Sequence, residues 1–140
     1  MFFILDTDHF SALDRESDAG RKLERRRAKC AGELFISIIT VEEVMRGWMA
    51  ALGACKKPEN EIGIYRRMQR SAELIGQWDV LPWDDEALRT LQDLRKLPIR
   101  ISTMDLKIAS IALIHDATVL TRNKMHFQKV PGLKIENWLD

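Results

Sequence analysis

Cysteine is nearly absent from this chain, and its two copies, Cys30 and Cys55, stand alone without CxxC or Cys/His spacing. That excludes a disulfide framework and gives no sign of a structural zinc site. Proline is also scarce, with Pro58, Pro82, Pro98 and Pro131 expected only in connections between patterned segments. No apolar run approaches the roughly 20 residues that a membrane span requires. The apolar stretch at the start is too short, and lacks the basic flank, for a signal peptide, so the cytoplasm is the expected location. Charge of one sign is missing in total but not locally. The net charge is +1, yet Arg21, Lys22, Arg25, Arg26, Arg27 and Lys29 form one cationic group and Arg66, Arg67 and Arg70 another. A balanced total can therefore still present a basic face.

What is present is enough for one compact core: 140 residues with 46% hydrophobic content fit a single domain over 1–140. Short β-rich runs at Phe2 to Leu5, Leu34 to Ile38, Val80-Leu81, Thr118 to Leu120 and Leu133 to Ile135 alternate with helical patterns. The helices are expected over Val41 to Leu52, Glu61 to Gln77, Asp85 to Leu94 and Met104 to Ile114, with Gly53 to Asn60 as a turn. Strands separated by helices imply an α/β fold, a mostly parallel central sheet flanked by helices on both faces. Val41 to Leu52 and Glu61 to Gln77 together suggest an arm or a dimer-forming hairpin. Trp48 with Met45 and Met49 reads as lining a core or a dimer seam.

The chemistry lies in the acids. Asp6 ends the first strand, at the edge where open α/β sheets place their sites, and an acid beside a buried strand is costly without a cationic partner. Thr7 or Asp8 is suited to cap the following helix. Glu43 and Asp105 each begin a helix just after an extended segment. Thr40-x-x-Glu43 and Ser102-x-x-Asp105 also match a capping box, so each acid has a structural reading beside the functional one. Brought together at one sheet edge, three acids repel: at ~4 Å and an effective dielectric near 20, each pair costs roughly 4 kcal/mol. A divalent cation removes that penalty. Oxygen-only ligands suit Mg²⁺ or Mn²⁺ better than zinc, and such an ion can activate water for phosphodiester hydrolysis.

These segments resemble the PIN-domain ribonucleases, and within them the VapC-type toxins of bacterial toxin-antitoxin pairs. The likeness rests on Ile4-Leu5-Asp6-Thr7-Asp8-His9, on Ser37-x-x-Thr40-x-x-Glu43-x-x-x-Gly47, on Asp105 to Ala112, and on Ala117 to Phe127 with Thr121 and Asn123. It continues through Val130-Pro131-Gly132-Leu133 and Glu136-Asn137-Trp138. The resemblance implies a single PIN-like domain and a Mg²⁺- or Mn²⁺-dependent endoribonuclease, with Asp6, Glu43 (rather than Glu42) and Asp105 as metal-holding, catalytic acids. It also implies a homodimer and inhibition by a small cognate antitoxin. Thr7, Thr40, Thr121 and Asn123 are expected to hydrogen-bond around the acids or the RNA. Where many relatives carry a fourth acid, this chain has His126, whose imidazole can meet a metal, a water or a phosphate.

Two other readings use the same residues. Asp6-x-Asp8 after an apolar strand also looks like the nucleophile and acid/base pair of a haloacid-dehalogenase-type phosphatase, although His9-Phe10 follows and Glu43 is left without a duty. A non-catalytic module binding RNA or a partner protein would use the acids only as caps. His9 and His115 read as packing or local hydrogen-bonding residues.

Overall fold

In the computed structural model, which describes residues 1–140, the five strands form one sheet in the order β3-β2-β1-β4-β5 with every neighbouring pair parallel. The strands are β1 (Phe2–Leu5), β2 (Glu33–Ser37), β3 (Val80–Leu81), β4 (Thr118–Leu120) and β5 (Lys134–Glu136). The helices are α1 (Thr7–Asp14), α2 (Asp18–Lys29), α3 (Ile38–Ala54), α4 (Pro58–Ile75), α5 (Asp85–Leu94), α6 (Thr103–Ile114) and α7 (Lys124–Phe127). The sheet expected to be mostly parallel is thus wholly parallel.

Alternation along β1 divides the core. Phe3 and Leu5 join Phe10, Leu23, Ile36 and Leu120 on one face, while Ile4 joins Leu91, Leu106, Ile111 and Val119 on the other. That is the period of two expected for a strand covered on both sides. Helix α6 is buried along Leu106, Ile108, Ala109, Ser110, Ile111 and Ala112. Its one buried hydroxyl, Ser110 Oγ, donates to the Leu106 carbonyl at 2.7 Å. Helices α1 and α2 approach closely because of Gly20: a Cβ there would stand 2.1 Å from the Ala12 carbonyl oxygen.

The strand register sets up the site. Leu5 lies level with Ile36 on one side and Leu120 on the other. The next residue on each strand is polar, and Asp6, Ser37 and Thr121 are all buried. Each side chain accepts a backbone N–H: Asp6 Oδ1 from His9 at 2.9 Å, Ser37 Oγ from Thr40 at 3.3 Å, and Thr121 Oγ1 from Asn123 at 2.8 Å. Burial of these groups is tolerable because they are bonded.

Several expectations are corrected. Asp6 itself, and neither Thr7 nor Asp8, caps α1. Thr40 does not cap α3: Ser37 does, so Ile38 opens that helix rather than closing β2. A short hydroxyl directly after a strand bends the chain into the helix before the β-branched run is spent. Ser102 does cap α6, accepting Asp105 N–H at 3.1 Å. Helices α3 and α4 begin earlier than apolar spacing indicates, and Pro58 is the first residue of α4, where its missing N–H costs nothing. The turn expected over Gly53 to Asn60 shrinks accordingly, and β5 lies one residue later than expected. Met45 and Met49 are 48% and 56% exposed, so neither lines a core.

Candidate active site

Asp6 is fixed by two elements at once. Its amide donates to Leu120 O at 3.0 Å, and its Oδ1 caps α1. His9 Nδ1 lies 3.3 Å from the same Oδ1, in a geometry that falls short of a hydrogen bond. The other ring nitrogen, Nε2, accepts the Trp138 backbone N–H at 3.1 Å in a fully buried setting. A neutral His9 ring therefore carries its proton on Nδ1, facing Asp6. Trp138 is 129 residues away in sequence, so no local signal revealed this chain of contacts.

Glu43 comes from the second turn of α3. Its Oε1 accepts the Thr7 hydroxyl at 2.7 Å, and Thr7 Oγ1 lies 3.2 Å from Thr40 Oγ1. The neighbouring Glu42 is drawn away, paired with Arg46 at 2.6 Å. The two adjacent glutamates are thus sorted by their partners, and Glu43 is the one that meets the start of α1.

Asp105 enters from the first turn of α6. Because α6 precedes β4 and the sheet is parallel, its N-terminal end lies at the same carboxyl edge as Asp6. Burial, the largest cause, raises the carboxyl pKa of both Glu43 and Asp105, and Asp6 and Asp8 raise both further. Asp105 also raises Glu43, while His126 lowers Asp105. Hydrogen bonds from Thr7 and Ser102 oppose the shifts without cancelling them. Four acids from three distant segments therefore share one electrostatic field. Asp8, exposed on the first turn of α1, is a member that the sequence suggested only as a helix cap or as the second acid of a phosphatase.

Thr121, Asn123 and His126 form a second group at the end of β4. Asn123 Nδ2 and His126 Nδ1 are 2.7 Å apart, and His126 is exposed. Arg122 is held by Asp140, with contacts of 3.1 and 3.0 Å, and remains within the electrostatic reach of Asp8 and Asp6.

As the side chains lie, no three His, Cys, Asp or Glu groups are disposed to hold a metal ion together. One oxygen of Asp6 and one of Glu43 are already engaged, by the His9 amide and the Thr7 hydroxyl. The donor set nevertheless fits a hard divalent cation: oxygen ligands only, partly desolvated, and mutually repelling until a positive charge joins them.

A family model described as PIN domain matches residues 3–133. Ribonuclease VapC1 of Rickettsia felis is 27% identical over 139 residues, covering 96% of this chain and 95% of that protein. Among solved structures, VapBC2 of Rickettsia felis, bound to a DNA fragment from its promoter, superposes with a TM-score of 0.78 at 23% identity and 99% coverage of both chains. VapBC-1 from nontypeable Haemophilus influenzae gives a TM-score of 0.77 at 22% identity over the whole of both chains.

Proposed function

The chain belongs to the PIN-domain family, and we propose that it is a metal-dependent endoribonuclease acting as the toxin of a VapC-type toxin-antitoxin pair, hydrolysing RNA phosphodiester bonds. The observation that carries this reading is the shared field of Asp6, Asp8, Glu43 and Asp105, gathered at the carboxyl edge of a parallel sheet. Caps alone do not explain it, since Glu43 caps nothing and its carboxylate is held by a threonine from another element.

Asp6, Glu43 and Asp105 are assigned to hold Mg²⁺ or Mn²⁺. A divalent cation bound there supplies charge neutralisation, polarisation of the phosphoryl group and easier ionisation of water. The chain's own residues do the positioning. Thr7 fixes Glu43 Oε1 and leaves Oε2 without a protein partner. The His9 amide fixes one Asp6 oxygen in the same way. His126, where relatives have an acid, adds a group that can face phosphate or water next to Asp105. The carboxyl edge also suits an anionic substrate, because α1, α3 and α6 point their N-terminal ends at it.

The phosphatase alternative is not favoured: the family match spans residues 3–133, and Glu43 belongs to the same acidic field. The partners assigned are an RNA substrate, a small cognate antitoxin and a second copy of the chain. Exposed Met45, Met49, Ile62 and Tyr65 on the α3–α4 arm support self-association. No helix is long and apolar enough to cross a membrane.

The test is cleavage of a structured RNA mixture by purified protein with Mg²⁺ or Mn²⁺. Discrete products that vanish with EDTA and with Asp6→Asn are expected. A fully active Asp6→Asn protein sinks the assignment.

A further inference from the structure

An open groove of about 710 Å³ leads away from the acids between α1, α3 and α4. Thr7 and Glu43 line one end, and Arg15, Arg67, Arg70 and Trp48 line the other. From Thr7 to Arg15 the helical rise gives a length of roughly 12 Å. Arg70 is paired with Glu16 at 2.7 Å, but Arg15 and Arg67, both exposed, have no carboxylate partner in the chain.

The aromatic residue in this groove is held rigidly. Trp48 Nε1 donates to Ser71 Oγ at 3.0 Å, and the buried Ser71 donates in turn to Asp14 Oδ2 at 2.5 Å. The Arg67 guanidinium lies over the indole, 5.1 Å from its ring centroid. A guanidinium carried on an indole is a flat cationic surface, and unpaired bases stack on surfaces of this kind.

Gly47 keeps its stretch of the groove free of a side chain, and Gly53 and Gly63 are likewise open positions elsewhere on α3 and α4. Gly47 lies in the interior of α3 and on the groove, yet a Cβ there meets nothing within 4 Å. Glycine is unfavourable inside a helix, and here the fold does not need it. The open space belongs to the groove.

We infer that this groove carries single-stranded RNA on one side of the scissile phosphate, with Arg15 and Arg67 contacting phosphates, a base stacked at Arg67 and Trp48, and the strand passing over Gly47. The inference rests on the nuclease reading above for its direction, because the groove opens onto the acids. An A-form duplex does not offer an unpaired base face to the Trp48 surface, so a single strand is the better fit.

The experiment measures fluorescence anisotropy of a labelled single-stranded RNA on the full chain carrying Asp6→Asn, as a function of salt. Arg15→Gln and Arg67→Gln are each expected to weaken binding about tenfold and to lower the log–log salt slope by about 0.7. The corresponding Lys variants keep the slope, which a merely structural role does not predict. Gly47→Leu weakens binding about fivefold or more by obstructing the stacked path, with a thermal transition that is unchanged or raised. Unchanged affinity and slope in all these variants overturn the groove, as does an Asp6→Asn protein that binds no RNA. Loss of binding to a small partner protein, with RNA binding intact, assigns the groove to protein and equally overturns it. If the parent cleaves RNA and the groove variants cleave equally well, the nuclease stands and the groove falls. If the parent binds with the expected slope but never cleaves with either metal, the nuclease reading falls and the groove stands.

Discussion

Replacing Asp105 with Asn is expected to make the metal-free protein more stable while ending its activity. Asp105 is about half buried, its pKa is raised first by that burial, and Asp6 and Asp8 add to the rise. A raised carboxyl pKa means that the folded state holds a proton which the unfolded chain has released. Below about pH 4 the group is protonated in both states and imposes no penalty. As pH rises through the folded pKa the carboxylate must ionise against burial and its neighbours, and stability is lost. Repulsions between partly exposed charges are screened to ~0.2–1 kcal/mol each. With Asp6, Asp8 and Glu43 as neighbours, and some attraction to His126 lost, the net gain for Asp105→Asn near pH 7 is about 1 kcal/mol. Unfolding entropy of about 2.1 cal/mol/K per residue converts this to roughly 3 °C over the chain. The assay is a thermal scan in EDTA near pH 7 and near pH 4, repeated with Mg²⁺. The gain should be present near neutrality, shrink near pH 4, and reverse in order with Mg²⁺, which stabilises the parent more than the variant. An Asn variant that is less stable in EDTA near pH 7, or a gain that does not change with pH, refutes the reasoning.

The other expectations concern single contacts. Glu43→Gln should abolish cleavage while Glu42→Gln leaves initial rates nearly unchanged, because Glu42 is engaged with Arg46 on the helix surface; equal losses in the two would remove the distinction between them. Thr7→Val deletes the donor to Glu43 and should lower the cleavage rate by ~10–100-fold, the usual cost of losing a group that orients a metal ligand. His9→Leu orphans the buried Trp138 N–H and should cost about 2 kcal/mol in urea unfolding; a neutral result would mean that the segment around Trp138 finds another acceptor. Gly20→Ala forces a Cβ against the Ala12 carbonyl, backbone against backbone, and should destabilise by about 3 kcal/mol, or roughly 10 °C.

What was legible in the sequence is what local chemistry decides. β1 and α5 have the expected bounds because an apolar run and a strong apolar stripe each end at a polar residue. The join of β2 to α3 was misplaced, since Ser37 and Thr40 are both good caps, and it is Ser37, the last residue of β2, whose hydroxyl accepts the Thr40 amide and starts the helix three residues early. Helix α2 left little apolar signal: its inward face amounts to Leu23 and the close contact at Gly20. Asp6, Glu43 and Asp105 stand out in the sequence because each follows an extended segment, whereas Asp8, on the first turn of α1, has no such signal beyond its place after Asp6. The pairing of His9 with Trp138, and the path from Trp48 through Ser71 to Asp14, join residues far apart in the chain. No spacing rule reaches such contacts.

The same architecture accounts for how four acids are tolerated at one sheet edge. Asp6 is the N-cap of α1, Asp105 lies in the first turn of α6, and Glu43 follows the Ser37 cap of α3. Asp6 and Asp105 therefore sit at the positive end of a helix, where a negative charge gains ~0.3–1 kcal/mol, whereas Glu43, in the second turn of α3, relies on the Thr7 hydroxyl. The Thr7 and Ser102 hydroxyls add hydrogen bonds that favour ionisation. These terms offset part of the repulsion, and what remains is the raised pKa of Glu43 and Asp105. A phosphate reaching this edge meets the same helix ends but also the same acids. On the proposed assignment, neutralising one acid is expected to remove catalysis and, at the same time, a source of repulsion toward RNA. An Asp6→Asn protein should for that reason bind RNA at least as well as the metal-free parent, which makes it the appropriate background for separating binding from cleavage.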